Sequence, residues 1–389
     1  MRLALLTPGF SADERDWCVP ALTSLVRELA RAHDVQVFAL RYPHRRGGYD
    51  AFSARVHALG GAPPGPLGRL ALLSRALRAV RREARRAPFD VVHGLWADEA
   101  GYLATAAGRT FGAPAVVSLL GGELVGLRDI AYGTRLSVAG RRLVARGLRR
   151  ADAVTVGSRP MEVMASVRVP ASRLHRLPLG VDTNLFHPDR GEPRALTLSG
   201  APSILHVASL VPVKDQATLL QAFARVARAL PDARLHIVGD GPLRPDLERL
   251  AGGLGIGLNV TFHGAVAHHD LRPYYCGAEL CALSSRFESQ SMVVLEAAAC
   301  GRATVGTAVG VLPELVGGGR IVPVGDADGL GAAILALAHE PSGRAALGEA
   351  SRAAVLRRYS LSRSVRDLDG LYERLVTRTV PAVAVGARA

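Results

Sequence analysis

The chain has 389 residues, 49% of them hydrophobic and 21% charged, with 42 glycines and 23 prolines. This length predicts about two domains, and the composition is typical of a globular protein and excludes a disordered or fibrous one. The formal net charge is +14, of which residues 1–190 carry +12. Nucleic acid, an anionic membrane surface, an acidic acceptor or a simple preference for arginine would each explain that charge.

Apolar runs of five to eight residues alternate with helical patterns along almost the whole chain, which predicts βαβ units and parallel sheets. In the first half, the runs are RLALLTP at the N-terminus and the segments 34–40, 90–95, 113–120 and 151–157, with helical spacing over 19–32. In the second half, they are the segments 203–210, 233–240, 259–265, 279–285, 302–308 and 319–325.

We expect no targeting signal in this sequence. The first apolar run breaks at Pro8 and Gly9, so we interpret it as a strand rather than a signal peptide. No stretch reaches the roughly 18 apolar residues of a membrane span. The four cysteines have no metal-type spacing, and free thiols suit a reducing compartment. We therefore expect a cytoplasmic protein, with peripheral association at the inner face of the membrane as an open alternative.

Residues 187–202 hold three prolines among polar and small residues, and they are the best linker candidate. We predict an α/β protein with two Rossmann-like, doubly wound domains facing a central cleft, where the carboxyl ends of the strands bind ligands. The predicted segments are 1–186 for the N-terminal domain, 203–360 for the C-terminal domain, 361–379 for a C-terminal helix that could pack back on the first domain, and 380–389 for a flexible tail.

The only lysine of the chain, Lys214, lies in HVASLVPVKD (206–215), between a predicted strand and a helix that begins near Asp215. A lysine beside the amides of a helix N-terminus can neutralise a phosphate. A solvated loop lysine is the alternative interpretation.

The segment SSRFESQSMVVLEAAACG (284–301) places Glu288 at the mouth of a loop and Glu296 just over one turn into a helix that begins near Met292. The amides of residues 289–292 would form an anion site at that helix N-terminus. The two carboxylates only accept hydrogen bonds, which suits sugar hydroxyls and a ribose diol. A capping glutamate and a surface glutamate are the commoner outcome of this spacing.

Residues 238–316, together with SLVPVKD, ADAVTVGSRPM and RLHRLPLGVDTNLFHP, resemble the retaining GT-B glycosyltransferase family 4. That family carries a Glu-x7-Glu motif, met here by Glu288 and Glu296. The resemblance implies transfer of a sugar from a nucleotide diphosphate to an acceptor hydroxyl with retention of anomeric configuration. It also implies front-face attack assisted by the leaving phosphate, with no metal and no other cofactor.

The resemblance implies roles for individual residues. The candidate catalytic residues are Glu288, Lys214 and Glu123. By the resemblance, Glu288 contacts the donor sugar and Lys214 grips the pyrophosphate. The candidate donor-binding residues, which include the ribose-binding glutamate and a base-contacting loop, are Glu296, Ser289, Gln290, Ser291, Met292, Ser209, Gly264 and Val266. The acceptor-side candidates are Gly9, Gly121 and Gly122, and no residue is assigned to a metal.

The sequence departs from the family pattern at three places. The usual phosphate-binding arginine falls at Ser209, the usual Gly-Phe-Gly is Ser289-Gln290-Ser291, and a histidine of the N-terminal domain is replaced by Leu120. Two alternatives therefore stay open: a catalytically inactive homologue that binds a sugar nucleotide, and a sugar-nucleotide epimerase of the same architecture. Nucleic-acid binding ranks last, because only 5% of the residues are aromatic and none interleave with the arginines as stacking groups.

Two weaker patterns also have competing interpretations. RLALLSRALRAVRREARR (69–86) has an apolar stripe formed by Leu70, Leu73, Leu77 and Val80, and seven arginines. Such a helix can lie on anionic lipid, but we favour an ordinary helix whose stripe faces the sheet. We interpret His268-His269 as surface at a helix start and not as metal ligands.

Overall fold

The computed structural model describes residues 1–16, 18–189, 196–315 and 321–379. They form two α/β units, each built around one predominantly parallel sheet, so the predicted α/β architecture with two doubly wound units is confirmed. Residues 190–195 of the predicted linker and the predicted tail 380–389 lie outside the described residues.

The first unit contains an eight-stranded sheet. Its strands are β1 (Arg2–Gly9), β2 (Asp34–Tyr42), β3 (Arg46–Ala51), β4 (Ala54–Leu59), β5 (Val91–Leu95), β6 (Ala115–Leu119), β7 (Ala153–Val156) and β8 (Leu174–Arg176). The strand order is β3-β4-β2-β1-β5-β6-β7-β8. Neighbouring strands are parallel except for the β3–β4 hairpin.

Three of these strands, β3, β4 and β8, are absent from the sequence prediction. β3 has the sequence RGGYDA and lies at the sheet edge with mostly exposed residues, so it has no apolar run to signal a strand. β8 has only three residues. β4 lies inside the sheet, but its sequence ARVHAL has polar residues, Arg55 and His57, between the apolar ones, so it forms no continuous apolar run.

Five helices cover the sheet of the first unit. They are α1 (Pro20–Leu29), α2 (Pro66–Arg86), α3 (Glu99–Phe111), α4 (Val138–Arg150) and α5 (Arg159–Ser166). The favoured interpretation of α2 is confirmed, because Leu72, Ala76 and Val80 are buried in the core under it. The predicted stripe is wrong at Leu70, which is 64% exposed.

The second unit contains a six-stranded parallel sheet. Its strands are β9 (Ser203–Val207), β10 (Arg234–Val238), β11 (Val260–Gly264), β12 (Leu280–Leu283), β13 (Thr304–Thr307) and β14 (Ile321–Val322). The strand order is β11-β10-β9-β12-β13-β14. Because β12 lies beside β9, the loops that follow these two strands meet at the same sheet edge.

The helices of the second half are α6 (Gln216–Ala229), α7 (Arg244–Gly253), α8 (Leu271–Gly277), α9 (Met292–Ala299), α10 (Leu312–Leu315), α11 (Ala327–His339), α12 (Pro341–Arg358) and α13 (Leu361–Thr379). Helix ends follow local capping chemistry: the Asp326 side chain accepts a hydrogen bond from Gly329 N at 2.8 Å at the start of α11.

The last helix, α13, returns to the first unit. Its apolar residues Val365, Leu368 and Tyr372 belong to the core formed by β1, β2 and α1. Tyr372 Oη lies 2.7 Å from His93 Nδ1 on β5, where burial lowers the histidine pKa to about 3. The chain thus crosses between the units twice, and the crossings touch, since Leu361 N donates to Val181 O at 2.9 Å.

Candidate functional site

Lys214 and Glu288 meet at the carboxyl ends of β9 and β12. Lys214 ends a short 3-10 turn after β9, and Asp215 caps α6 by accepting a hydrogen bond from Thr218 N at 3.4 Å. Lys214 Nζ lies 2.6 Å from Glu288 Oε1, and the same oxygen accepts a hydrogen bond from Ser285 Oγ at 2.7 Å. The two side chains are 24% and 11% exposed, so the pair is partly shielded from water.

The loop between Glu288 and α9 presents main-chain donors. Among the described residues, no hydrogen-bond acceptor is found for the amides of Ser289, Gln290 and Ser291. Ser291 has a φ of 75°, in the left-handed region that favours glycine, and its buried Oγ has no partner in the described part of the chain. Unpaired amides at the start of an eight-residue helix favour an anion.

Glu296 lies one turn into α9 and is 4% exposed. His268 Nε2 lies 2.9 Å from Glu296 Oε1, and Tyr275 Oη donates to Glu296 Oε2 at 2.7 Å. Burial and the neighbouring carboxylate raise the pKa of Tyr275, so it stays a donor. Each carboxylate oxygen accepts more than one hydrogen bond, which leaves Glu296 able to accept a further donor.

A cavity of about 400 Å³ opens beside Glu296, between the two units. A volume in this range suits a small ligand. The first unit contributes the segment before and at the start of α1, and the second unit contributes the ends of β9 and β10, the loop after β11 and the start of α9. The lining residues are Cys18, Val19, Pro20, Ala21, Val207, Ala208, Ser209, Val238, Gly239, Asp240, Ala265, Val266, His268, Leu271, Met292, Val293 and Glu296.

The other predicted donor-side residues lie at the same edge. Ser209 and Val266 line the cavity. Gly264 ends β11 with a φ of 76°, and its carbonyl accepts a hydrogen bond from Gly239 N at 2.8 Å. Their assignment to donor binding stays a prediction that this location suits.

Glu123 is enclosed by main-chain amides. It is 2% exposed, its Oε1 accepts hydrogen bonds from the amides of Ala97 and Leu120 at 3.1 Å, and its Oε2 accepts one from Gly121 N at 2.7 Å. The carboxyl group therefore holds the loop after β6. Its catalytic role stays a prediction.

The acceptor-side glycines are sites of close packing. A Cβ on Gly121 would lie 2.8 Å from Trp96 Nε1, and one on Gly122 would lie 2.8 Å from the ring of Tyr132. Gly9 ends β1, and a Cβ there would lie 3.6 Å from Sγ of Cys18, which lines the cavity. Contact of these glycines with an acceptor stays a prediction.

Burial raises the pKa of Glu123 to about 7, above its ordinary value of 4.5. Between these two values the folded protein holds a proton that the unfolded chain has released. The free energy of unfolding therefore falls as the pH rises through this window, by up to about 1.4 kcal/mol per pH unit.

We expect Glu123→Gln, which does not titrate, to lower the free energy of unfolding more at pH 5 than at pH 8. Urea denaturation at both values measures this difference, and exposed Glu248→Gln is the control. An equal penalty at both values would contradict a titrating Glu123.

The sequence interpretation missed two residues of the site. His268 was interpreted as helix-start surface, but it lies in the cavity against Glu296. Tyr275 was not considered, although it is buried and donates to the same carboxylate. A usable signal for His268 was its position in the loop after β11, at the carboxyl edge where ligands bind, whereas Tyr275 lies inside α8 and had no such signal.

No cluster of three or more His, Cys, Asp or Glu side chains is arranged to hold a metal ion in the described part of the chain. None of the helices within the described ranges combines the length and apolar character needed to cross a membrane.

Two family models match the chain: Glycosyltransferase Family 4 over residues 21–185 and Glycosyl transferases group 1 over residues 201–340. A GDP-mannose-dependent alpha-(1-6)-phosphatidylinositol monomannoside mannosyltransferase of Mycolicibacterium smegmatis is 34% identical over 266 residues, which are 62% of this chain and 70% of that relative. An alpha-D-kanosaminyltransferase of Streptomyces kanamyceticus is 29% identical over 222 residues, which are 55% of this chain and 58% of that relative.

Solved structures match over almost the whole chain. Sucrose-phosphate synthase from Thermosynechococcus elongatus has a TM-score of 0.80 and 22% identity, covering 97% of this chain and 100% of its own. Anabaena HepE, solved in complex with UDP and glucose, has a TM-score of 0.73 and 18% identity, covering 96% of this chain and 100% of its own. At these identities the likeness shows a shared fold.

Proposed function

The chain belongs to glycosyltransferase family 4, with the GT-B fold, and we propose from that premise that it transfers a hexose from a nucleotide diphosphate to an acceptor hydroxyl with retention of anomeric configuration. It is a glycosyltransferase that uses a nucleotide sugar. The similar mannosyltransferases are GDP-mannose-dependent, and for this reason we propose GDP-mannose as the first donor to test.

One observation carries the proposal: a lysine–glutamate pair and three amides with no acceptor among the described residues lie at the carboxyl edge of the second sheet, where a second glutamate lines a cavity. We propose that Glu288 orients the donor sugar and Glu296 accepts the ribose hydroxyls. Lys214 and the amides of Ser289–Ser291 would stabilise the negative charge of the departing diphosphate, a role that accelerates such reactions strongly. These donors supply the positive field in the proposed reaction, so it needs no metal ion.

For a retaining transfer we propose that the acceptor hydroxyl attacks from the face that the diphosphate leaves. The bond from the anomeric carbon to the diphosphate oxygen breaks, and the bond to the acceptor oxygen forms. The leaving phosphate oxygen takes the acceptor proton. Holding both partners on one face of the sugar is the task of the cleft, and such orientation is itself a large catalytic contribution.

The experiment is a mass-spectrometric screen with GDP-mannose and the UDP-, ADP- and TDP-hexoses, in the absence of acceptor and with EDTA in a parallel set. We expect slow release of the nucleoside diphosphate and free sugar from one donor, unchanged by EDTA. Loss of release in EDTA would overturn metal independence. When an acceptor is found, NMR of the product reports the anomeric configuration, and an inverted product would overturn retention.

A second candidate function is a catalytically inactive homologue that binds a sugar nucleotide. It is favoured by Ser209, which stands where the family has an arginine, and by Leu120, which stands where it has a histidine. The same screen separates the two, because a binder would retain nucleotide affinity and release no sugar from any donor.

We also propose that the first unit associates with anionic membrane at the cytoplasmic face. In α2, Leu67 is 83% and Leu70 is 64% exposed beside the arginines of the same helix. Exposed apolar side chains next to cationic ones favour an anionic lipid surface.

We expect sedimentation with vesicles of phosphatidylcholine and phosphatidylglycerol, and much weaker sedimentation with phosphatidylcholine alone. The double variant Leu67→Ser/Leu70→Ser is expected to reduce vesicle binding. The matched control is Leu258→Ser in the second unit, because Leu258 is 97% exposed. Equal binding of the variant and the control would contradict this proposal.

A further inference from the structure

The donor loop, residues 288–291, is bonded to the first unit at the ends of three consecutive strands. After β6, Leu120 O accepts a hydrogen bond from Ser289 Oγ at 2.6 Å. After β7, Ser158 Oγ donates to Ser289 O at 2.6 Å. After β8, Leu179 bonds to the side chain of Gln290. The carboxyl edges of the two sheets are therefore joined through this loop.

The Gln290 side chain pairs with a backbone as another peptide group would. Leu179 N donates to Gln290 Oε1 at 2.8 Å, and Gln290 Nε2 donates back to Leu179 O. The residue is 5% exposed. It packs on Gly157, where an added Cβ would lie 2.1 Å from Gln290 Oε1. If Gln290 withdraws from the first unit, its side-chain amide and the main-chain N–H and C=O of Leu179 lose their hydrogen-bond partners. Leaving such buried polar groups unpaired is unfavourable.

The same glutamine fixes the conformation of its own loop. Its carbonyl accepts a hydrogen bond from Val311 N at 2.8 Å, and its Nε2 lies 3.3 Å from Met292 Sδ at the start of α9. Ser291 beside it has a left-handed φ of 75°. Such a conformation is strained and persists only where surrounding contacts hold it. The contacts of Gln290 and Ser289 with the first unit supply that restraint.

We infer that Gln290 is a positioning residue that couples closure of the two units to the geometry of the diphosphate-binding amides. When the units are closed, the Leu179–Gln290 pairing holds the loop with the amides of residues 289–291 unpaired and available. When the units separate, the pairing breaks and the strained loop loses its restraint. This inference rests on the proposed function for the ligand of those amides, but the pairing itself does not depend on it.

The first test measures hydrogen exchange at the Leu179 amide in the ligand-free protein. In Gln290→Leu the acceptor Oε1 is lost, and we expect exchange at least about 10-fold faster at Leu179 because the opening that exposes it becomes easier. The matched control is Gln36→Leu, which removes another buried glutamine, bonded to His57 in the first unit. Unchanged exchange at Leu179 in Gln290→Leu would overturn the pairing.

The second test uses donor cleavage. Because the loop acts most on charge that develops in the transition state, we expect Gln290→Leu to lower kcat about 10-fold while the donor KM changes less than about threefold. A purely structural loss would instead lower the active fraction and the melting temperature as Gln36→Leu does. If Gln290→Leu does not fold, Ser289→Ala replaces it in this test, because it removes only the hydrogen bond to Leu120. We expect Ser289→Ala to lower kcat as well, by a smaller factor.

These outcomes separate the inference from the proposed function. If the unaltered protein cleaves no donor, the proposed function fails, while exchange at Leu179 still decides whether the pairing exists. If the protein cleaves donor and both loop variants keep the kcat of the unaltered protein, the coupling is overturned and the proposed function stands.

Discussion

Replacing Lys214 with alanine is expected to lower kcat for donor cleavage by about 100- to 1,000-fold, as removal of one group that stabilises developing charge does in other active sites. Lys214 Nζ lies 2.6 Å from Glu288 at the carboxyl edge of the second sheet. The charge on the departing diphosphate grows toward the transition state, so kcat should fall far more than KM changes. Steady-state release of the nucleoside diphosphate measures both constants.

Two variants isolate the cause of that loss. Lys214→Ala leaves the Glu288 carboxylate without its cation, and this repulsion alone would oppose a diphosphate. Glu288→Gln alone keeps the cation, and Lys214→Ala with Glu288→Gln lacks both the cation and the repulsion. A lower kcat in the double variant than in Glu288→Gln assigns the further loss to the missing cation. Arg225→Ala is the surface control, because Arg225 on α6 is a cation paired with Asp328 on α11. A decrease in kcat below about threefold in Lys214→Ala would remove Lys214 from the proposed reaction.

Replacing Glu296 with alanine is expected to weaken binding of a nucleoside diphosphate by about 10- to 100-fold, the range for one hydrogen-bonded carboxylate. The carboxylate lies in the cavity, held by His268 and Tyr275. If it binds the ribose diol, the variant should lose affinity for GDP and hardly any for 2′,3′-dideoxy-GDP. Isothermal titration with both nucleotides measures the difference.

A control for this prediction removes a partner of Glu296 and leaves its charge in place. Tyr275→Phe deletes the hydroxyl that donates to Glu296 Oε2 at 2.7 Å. We expect its effect on GDP affinity to be smaller than that of Glu296→Ala, with a lower melting temperature in both. Equal GDP affinity in Glu296→Ala and the unaltered protein would end the assignment of Glu296 to the ribose.

The positions of Lys214 and Glu288 were predictable from the sequence, but their contact was not. Each follows an apolar run at a strand-to-helix corner, which local patterns indicate well. They are 74 residues apart, and they meet because β9 and β12 are neighbours in the sheet. Strand order depends on long-range packing, which local sequence patterns do not encode.

The partners that enclose Glu123 and His268 could not be predicted from the sequence. Glu123 sits in SLLGGEL, whose apolar residues indicate burial. His268 lies in the polar run AHHD, which indicated surface. Burial of a polar side chain depends on its partners, here three amides for Glu123 and a carboxylate for His268.

The return of α13 bears on how the chain folds during synthesis. The first unit is made first, but Tyr372, which completes its core and contacts His93 across 279 residues of sequence, is synthesised after the sheet of the second unit. N-terminal domains ordinarily fold as they are synthesised. Here the nascent first unit exposes the apolar groove for α13 throughout synthesis of the second unit. We therefore expect the core of the first unit to close only when α13 docks, after the second unit has been synthesised.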